Sequence, residues 1–277
     1  MTALLRSFWI GILTVIVAVP LDARGEGDTL ALRLLPSRHR VHDFVADGTA
    51  HRFSATQLLS PHEVQLSVGG ILPLVDYSLW GVPIQVSSGA SIHARLDPGR
   101  SIAVLSTEFS VDFFLLDVQL SEDLIVRTGM SHASHHLGDG PAGDSTALPF
   151  DYSRDEVQMF IIHASPFLPG QVYVGARYAY ALVIRQPVGK PLSLQIGMHA
   201  LILAFSQELS LYAGWDLKMH QELSSGTSQR YETGLQYRSE TGRILRLAIS
   251  YSAGLDERGQ FFGKRRNEAG IGIVVSL

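Results

Sequence analysis

The stretch Leu209-Ser210-Leu211-Tyr212-Ala213-Gly214-Trp215-Asp216-Leu217-Lys218-Met219-His220 decides the fold. Leu209, Leu211, Ala213, Trp215, Leu217 and Met219 occupy every second position, and Ser210, Asp216, Lys218 and His220 lie between them. A strand points successive side chains to opposite faces, so this segment carries one oily row and one polar row. It outruns the ~5–6 residues of an ordinary soluble strand and is long enough to cross a bilayer when tilted.

The same alternation extends in both directions. Downstream, Tyr231, Leu235 and Tyr237 oppose Arg230, Glu232 and Gln236, Leu245, Leu247 and Ile249 oppose Arg246 and Ser250, and the chain ends on Ile271, Ile273 and Val275. Upstream, Leu192, Leu194, Ile196 and Met198 oppose Ser193, Gln195 and His199, and Val172, Val174, Tyr178 and Tyr180 oppose Gln171 and Arg177. Ile84, Val86, Ala90 and Ile92 oppose Gln85, Ser87 and His93, and Val64, Leu66 and Val68 oppose Gln65 and Ser67. The segment from Glu108 to Leu120 alternates less cleanly and predicts a bulge near Phe114. Short turns such as Ser121-Glu122-Asp123 and Ser239 to Gly242 interleave with longer polar loops such as Gly138 to Pro149 and Leu255 to Arg266. Lipid satisfies no free backbone group, so such strands must close on themselves. The pattern predicts an all-β chain: a transmembrane, antiparallel, up-and-down β-barrel of about 12 strands in a bacterial outer membrane. The polar rows mix signs (Arg127, Glu208, Asp216, Lys218, Arg230, Glu232), which predicts an interior knit by ion pairs rather than a wide pore.

The N-terminus fits export. Arg6 precedes an apolar run from Phe8 to Val19, followed by Pro20 and Leu21-Asp22-Ala23-Arg24-Gly25, the layout of a secretory signal peptide over residues 1–25. That run is too short for a membrane helix. Residues 26–60 alternate weakly and read as a periplasmic N-terminal segment, with a first strand near Ala50–Leu59; residues 61–277 read as the barrel. The chain has no cysteine, 17% charged residues and a net charge of −4, so neither thiolate metal sites nor nucleic-acid binding is expected. Barrel-insertion machinery is the expected assembly partner, although Leu277 stands where such barrels usually end in an aromatic residue.

One stretch resists a purely architectural reading. Ser131-His132-Ala133-Ser134-His135-His136-Leu137-Gly138-Asp139 packs three histidines, two serines and an acid into the end of an outward-running strand. Leu124, Val126 and Met130 set the lipid parity, and His132, Ser134 and His136 continue it; Arg127, Ser131 and His135 take the lumen parity. Polar groups facing lipid are costly, which marks them as functional candidates. On the returning strand, Val157, Met159 and Ile161 set the lipid parity, which Asp151 and Ser153 share. A serine, a histidine and an orienting acid form an activated nucleophile.

His132-x-Ser134-x-His136-Leu137-Gly138-Asp139, with Tyr152-Ser153-Arg154-Asp155, resembles the signature of an uncharacterised family of bacterial outer-membrane barrels, a domain of unknown function. That resemblance covers most of residues 60–277 and implies no activity. The chain carries Asp151 where the family usually has Asn, and His135 where it has Ser. His132-x-Ser134 is also similar to the His-x-Ser pair of outer-membrane phospholipase A and of lipid A 3-O-deacylase. That similarity implies Ser134 as nucleophile, His132 as base and Asp151 as the orienting acid.

The plainest reading of the stretch is structural: His132, Ser134, His136, Asp139 and Arg154, beside Ser153, form a polar network locking the rim loop. The alternative is a lipid acyl-ester hydrolase working through Ser134, His132 and Asp151. A further alternative is a narrow pore or transporter. No metal is expected, because His132 and His136 lie about 13 Å apart on an extended strand. Calcium on Asp139, Asp144 or Asp151 is the one cofactor the acids could hold. Outer-membrane lipids are the expected partners, with Lys264-Arg265-Arg266 placed for lipopolysaccharide phosphates; the oligomeric state is not readable.

Overall fold

A computed structural model of the chain describes residues 32–99, 103–137, 152–164, 169–183, 192–221, 226–256 and 264–276. The strands are β1 Arg33–Leu34, β2 Phe53–Leu58, β3 Val64–Leu79, β4 Val82–Asp97, β5 Ala103–Gln119, β6 Leu124–Leu137, β7 Tyr152–Ala164, β8 Gly170–Val183, β9 Leu192–Ala204, β10 Leu209–His220, β11 Gly226–Arg238, β12 Ile244–Leu255 and β13 Arg265–Ser276. From β2 to β13 each strand pairs antiparallel with its chain neighbour, and β13 returns to pair with β2. The result is the closed, twelve-stranded cylinder that the alternation predicts.

The oily rows look outward. Leu247, Ile249, Ile271 and Ile273 are each about half exposed, as are Val172, Val174, Met159 and Ile202 elsewhere round the wall. A continuous apolar belt of this extent belongs in hydrocarbon, so the protein sits in the bacterial outer membrane. The polar rows are buried inside. Arg127 donates to Asp117 through Nε at 2.6 Å and Nη2 at 2.7 Å. Arg95 meets Glu63 at 2.6 Å and also pairs with Glu268, and Arg266 reaches Asp256 at 2.9 Å. Arg266 of the expected lipopolysaccharide-binding triplet therefore belongs to an ion-pair network.

The first strand holds the main surprise. β1 pairs with β3 through Arg33↔Asp76 and Leu34↔Val75, while β2 pairs with the same edge of β3 through Ser54↔Ser67 to Gln57↔Val64. β4 occupies the other edge of β3. β1 and β2 are thus two pieces of one interrupted strand, and residues 36–52 leave the wall between them. The strand expected near residues 50–59 is β2. The segment before it is not simply a periplasmic tail, because Val41, Phe44, Val45, Ala46, Asp47, His51 and Arg52 are buried.

This plug is held by both oil and charge. Phe44 stacks on Tyr173 with ring centroids 3.8 Å apart and planes 10° apart, and Phe160 closes the group at 5.2 Å. Lys218 Nζ donates to Asp47 Oδ1 at 2.6 Å, and Gln195 Nε2 donates to Asp47 Oδ2 at 3.0 Å. Burial alone pushes the Asp47 carboxyl up, but the charges of Lys218 and Arg177 and the two donated bonds outweigh it and hold the group below the ordinary carboxylate range.

Candidate functional site

β6 and β7 build the outer rim. Their register sets His132 opposite Asp155, Ala133 opposite Arg154, Ser134 opposite Ser153 and His135 opposite Tyr152. On its other side β6 meets β5, with Val111 opposite His132 and Phe109 opposite Ser134. The parity read from the sequence holds in the structure. His135 is buried on the lumen side, with Nδ1 3.5 Å from Glu108 Oε2, and Arg154 is buried beside Glu156 at 3.0 Å. His132 and Ser134 lie on the lipid side with Ser153 and Asp155, and His136 is exposed further along. Residues 131–136 of the stretch therefore divide between the two faces of the wall, and Arg154 belongs with the inner set.

On the outer face, His132 Nδ1 lies 2.5 Å from Asp155 Oδ1. An ionised carboxylate only accepts, so Nδ1 carries the proton and Nε2 is left as the free lone pair. Both side chains stay reachable, at 26% and 34% exposure. Ser134 stands two residues beyond His132 on the same face, a Cα separation of about 7 Å. No hydrogen bond joins the two in this arrangement; catalytic contacts of this kind often tighten only around substrate. The orienting acid that the structure brings to His132 is Asp155. Asp151, the acid expected from the sequence, lies outside the described residues, as do Asp139 and Asp144.

The lumen contains a second chain of the same residue types, which the sequence did not announce. His51 Nε2 lies 3.1 Å from Asp112 Oδ2, its Nδ1 lies 2.7 Å from Ser91 Oγ, and Ser91 Oγ lies 2.8 Å from His93 Nε2. The carboxylate fixes the direction: Nε2 donates to Asp112, so Nδ1 accepts from the Ser91 hydroxyl. Ser91 is only 2% exposed, so no substrate reaches it, and the chain pins the plug to β4 and β5. It borders a polar cavity of about 140 Å³ lined by Glu108, Asp112, Ser131, Glu156 and Arg177. Among the described residues no group of three or more histidines and acids is arranged to hold a metal ion.

The fold is similar to solved outer-membrane barrels. The outer membrane phospholipase dimer from Salmonella typhi, solved with bound calcium, matches at 14% identity and a TM-score of 0.50 over 82% of this chain and 90% of that one. An active-site mutant of outer membrane phospholipase A from Escherichia coli matches at 13% identity and a TM-score of 0.50, over 87% and 95%. The NanC porin matches at 13% identity and a TM-score of 0.46, over 82% and 99%. At these identities the likeness establishes the barrel and nothing finer. No curated protein matches the chain. The profile of one family covers residues 22–276, and the chain belongs to that family, the proteins of unknown function designated DUF1207.

Proposed function

We propose that the protein is a serine-dependent lipid acyl-ester hydrolase of the outer leaflet, with Ser134 as nucleophile, His132 as base and Asp155 as orienting acid. The observation that carries this reading is the His132–Asp155 contact of 2.5 Å on the lipid-facing wall. It fixes the imidazole tautomer and leaves Nε2 free on the face that Ser134 shares. In the reaction, Ser134 Oγ attacks the ester carbonyl as its proton passes to His132 Nε2. The tetrahedral species collapses, and the alcohol leaves with that proton. Water, deprotonated by the same nitrogen, then releases the fatty acid and restores the serine.

The location supports the substrate class. Ser134 faces the exposed Phe109 near the outer end of β6, a polar group beside an apolar wall, which suits an ester at the head of acyl chains. The fold neighbours include outer membrane phospholipases, which agrees with this chemistry without assigning it. A rim network built around Arg154 is less well supported, since Arg154 lies across the wall from His132. An open pore is less well supported too, because the plug crosses the lumen.

The test is fatty-acid release from diacyl phospholipid and from lipid A by the purified barrel in detergent, with calcium present and with a chelator. Wild-type protein is expected to release fatty acid, and Ser134→Ala is expected to fall to background. Release that survives the substitution, or none from either lipid in any condition, overturns the proposal. Dependence on calcium would assign a role to the acids of the rim loop.

A further inference from the structure

The wall around His132 and Asp155 is irregular in two places. In β5 the register against β6 slips between Asp112 and Phe114, which makes Phe113 the extra residue opposite Ser131 and Met130. In the pairing of β7 with β8, Asp155 faces Ala181 but Glu156 faces Ala179, which makes Tyr180 the extra residue. A bulge re-aims the side chain it carries, and bulges concentrate beside functional sites. Both of these place an aromatic ring on the outer surface: Phe113 is 44% exposed and Tyr180 37%. Tyr180 is close enough to Asp155 for the carboxylate's charge to act on its phenol. By register, Phe113 lies on the membrane-centre side of Val111, the partner of His132, and Tyr180 lies on the membrane-centre side of Ala181, the partner of Asp155.

From these positions we infer that Phe113 and Tyr180 are the two walls of an acyl-chain trough, which receives one diacyl phospholipid with its ester at Ser134 and its chains running inward along β6 and β7. This rests on the hydrolase reading of Ser134. Val157, 39% exposed, forms the floor on β7, beside its partner Met130, which is buried. Three strand spacings separate β5 from β8, about 14 Å between backbones. With a ring projecting at each side, the space left fits one or two hydrocarbon chains, which favours a diacyl lipid over the many chains of lipid A. Phe113 and Tyr180 therefore select for chain length, and they are binding residues rather than catalytic ones.

Two measurements test the trough. Binding is read in the Ser134→Ala background with a diether phosphatidylethanolamine that no hydrolase can cleave. Phe113→Ala and Tyr180→Ala are each expected to weaken binding about tenfold. Leu247→Ala, an outward residue on the far wall, is expected to leave it unchanged. Turnover is read with Ser134 intact on esters of increasing chain length, where both aromatic variants are expected to lower the ratio of long-chain to short-chain rates about tenfold. If wild-type protein cleaves no ester but the diether loses affinity in both variants, the hydrolase reading falls and the trough stands. Equal diether binding in wild type and both variants overturns the trough whatever the turnover, and so does a parallel loss at every chain length. Displacement of the diether by lipid A at lower concentration than by phospholipid overturns the choice of occupant.

Discussion

At the scale of single residues, the candidate site turns on which acid orients His132. The sequence put Asp151 and Ser153 on the face of His132 and Ser134, and Asp155 shares their parity. Parity repeats every two residues and carries no information about stagger. The stagger of β7 against β6 is set by the whole ladder, which places Asp155 opposite His132. Asp155→Asn is expected to keep the barrel folded and lower kcat by about 10⁴-fold, since the amide favours the wrong imidazole tautomer. Asp151→Asn is expected to cost far less, and rates of fatty-acid release by the two variants compare the acids directly. A second residue-scale expectation concerns the plug. Lys218→Met strands the buried Asp47 carboxylate and should lower stability by about 3–5 kcal/mol in denaturant unfolding. Because the folded state holds Asp47 below its unfolded value of about 3.9, its contribution is complete above that pH and is lost as pH falls through the folded value. Wild-type protein should therefore weaken below about pH 4, and Asp47→Asn should be less stable at neutral pH with a flatter acid response.

At the scale of elements, strands with unbroken alternation were legible and the interruption of the first strand was not. β10 and β12 expose their oily residues to lipid and little else, so periodicity alone defines them. The irregularity of β5 near Phe114 was legible for the same reason, since an extra residue breaks a period of two. Residues 36–52 have no period because they follow the shape of the lumen instead of a sheet. β7 shows the other half of that contact: Phe160 and Ile162 are apolar yet face inward, because Phe44 and Val41 of the plug cover them. β2, at six residues, matches the strand expected near residues 50–59, but so short a run carries no sign of the piece, β1, that lies before the plug. Replacing residues 36–52 with a short extended link should make the first strand continuous and leave the lumen unfilled. Stepwise conductance in planar bilayers is then expected from the shortened chain and not from the full one; a silent shortened barrel would mean that the inward side chains fill the lumen without the plug.

At the scale of the whole molecule, two solvents explain the sequence. The outer rows satisfy lipid and the inner rows satisfy each other, with Arg127–Asp117 and Lys218–Asp47 among the pairs that neutralise the interior. A charge placed on the outer belt therefore meets hydrocarbon: Leu247→Arg should cost about 2–4 kcal/mol if it lies near the bilayer midplane, read as a lower unfolding midpoint in lipid. In a water-facing sheet the same change would be close to neutral.

The interruption of the first strand also makes the ladder uneven. Six residue pairs tie β13 to β2 and four tie β2 to β3, whereas twelve tie β12 to β13. Thermal fraying should begin at the sparsest rungs, so backbone amides of residues 54–57 should take up deuterium sooner than their counterparts in β10 and β11. A molecule that unzips there first would part sideways, presenting its interior to the surrounding lipid before any other strand lets go.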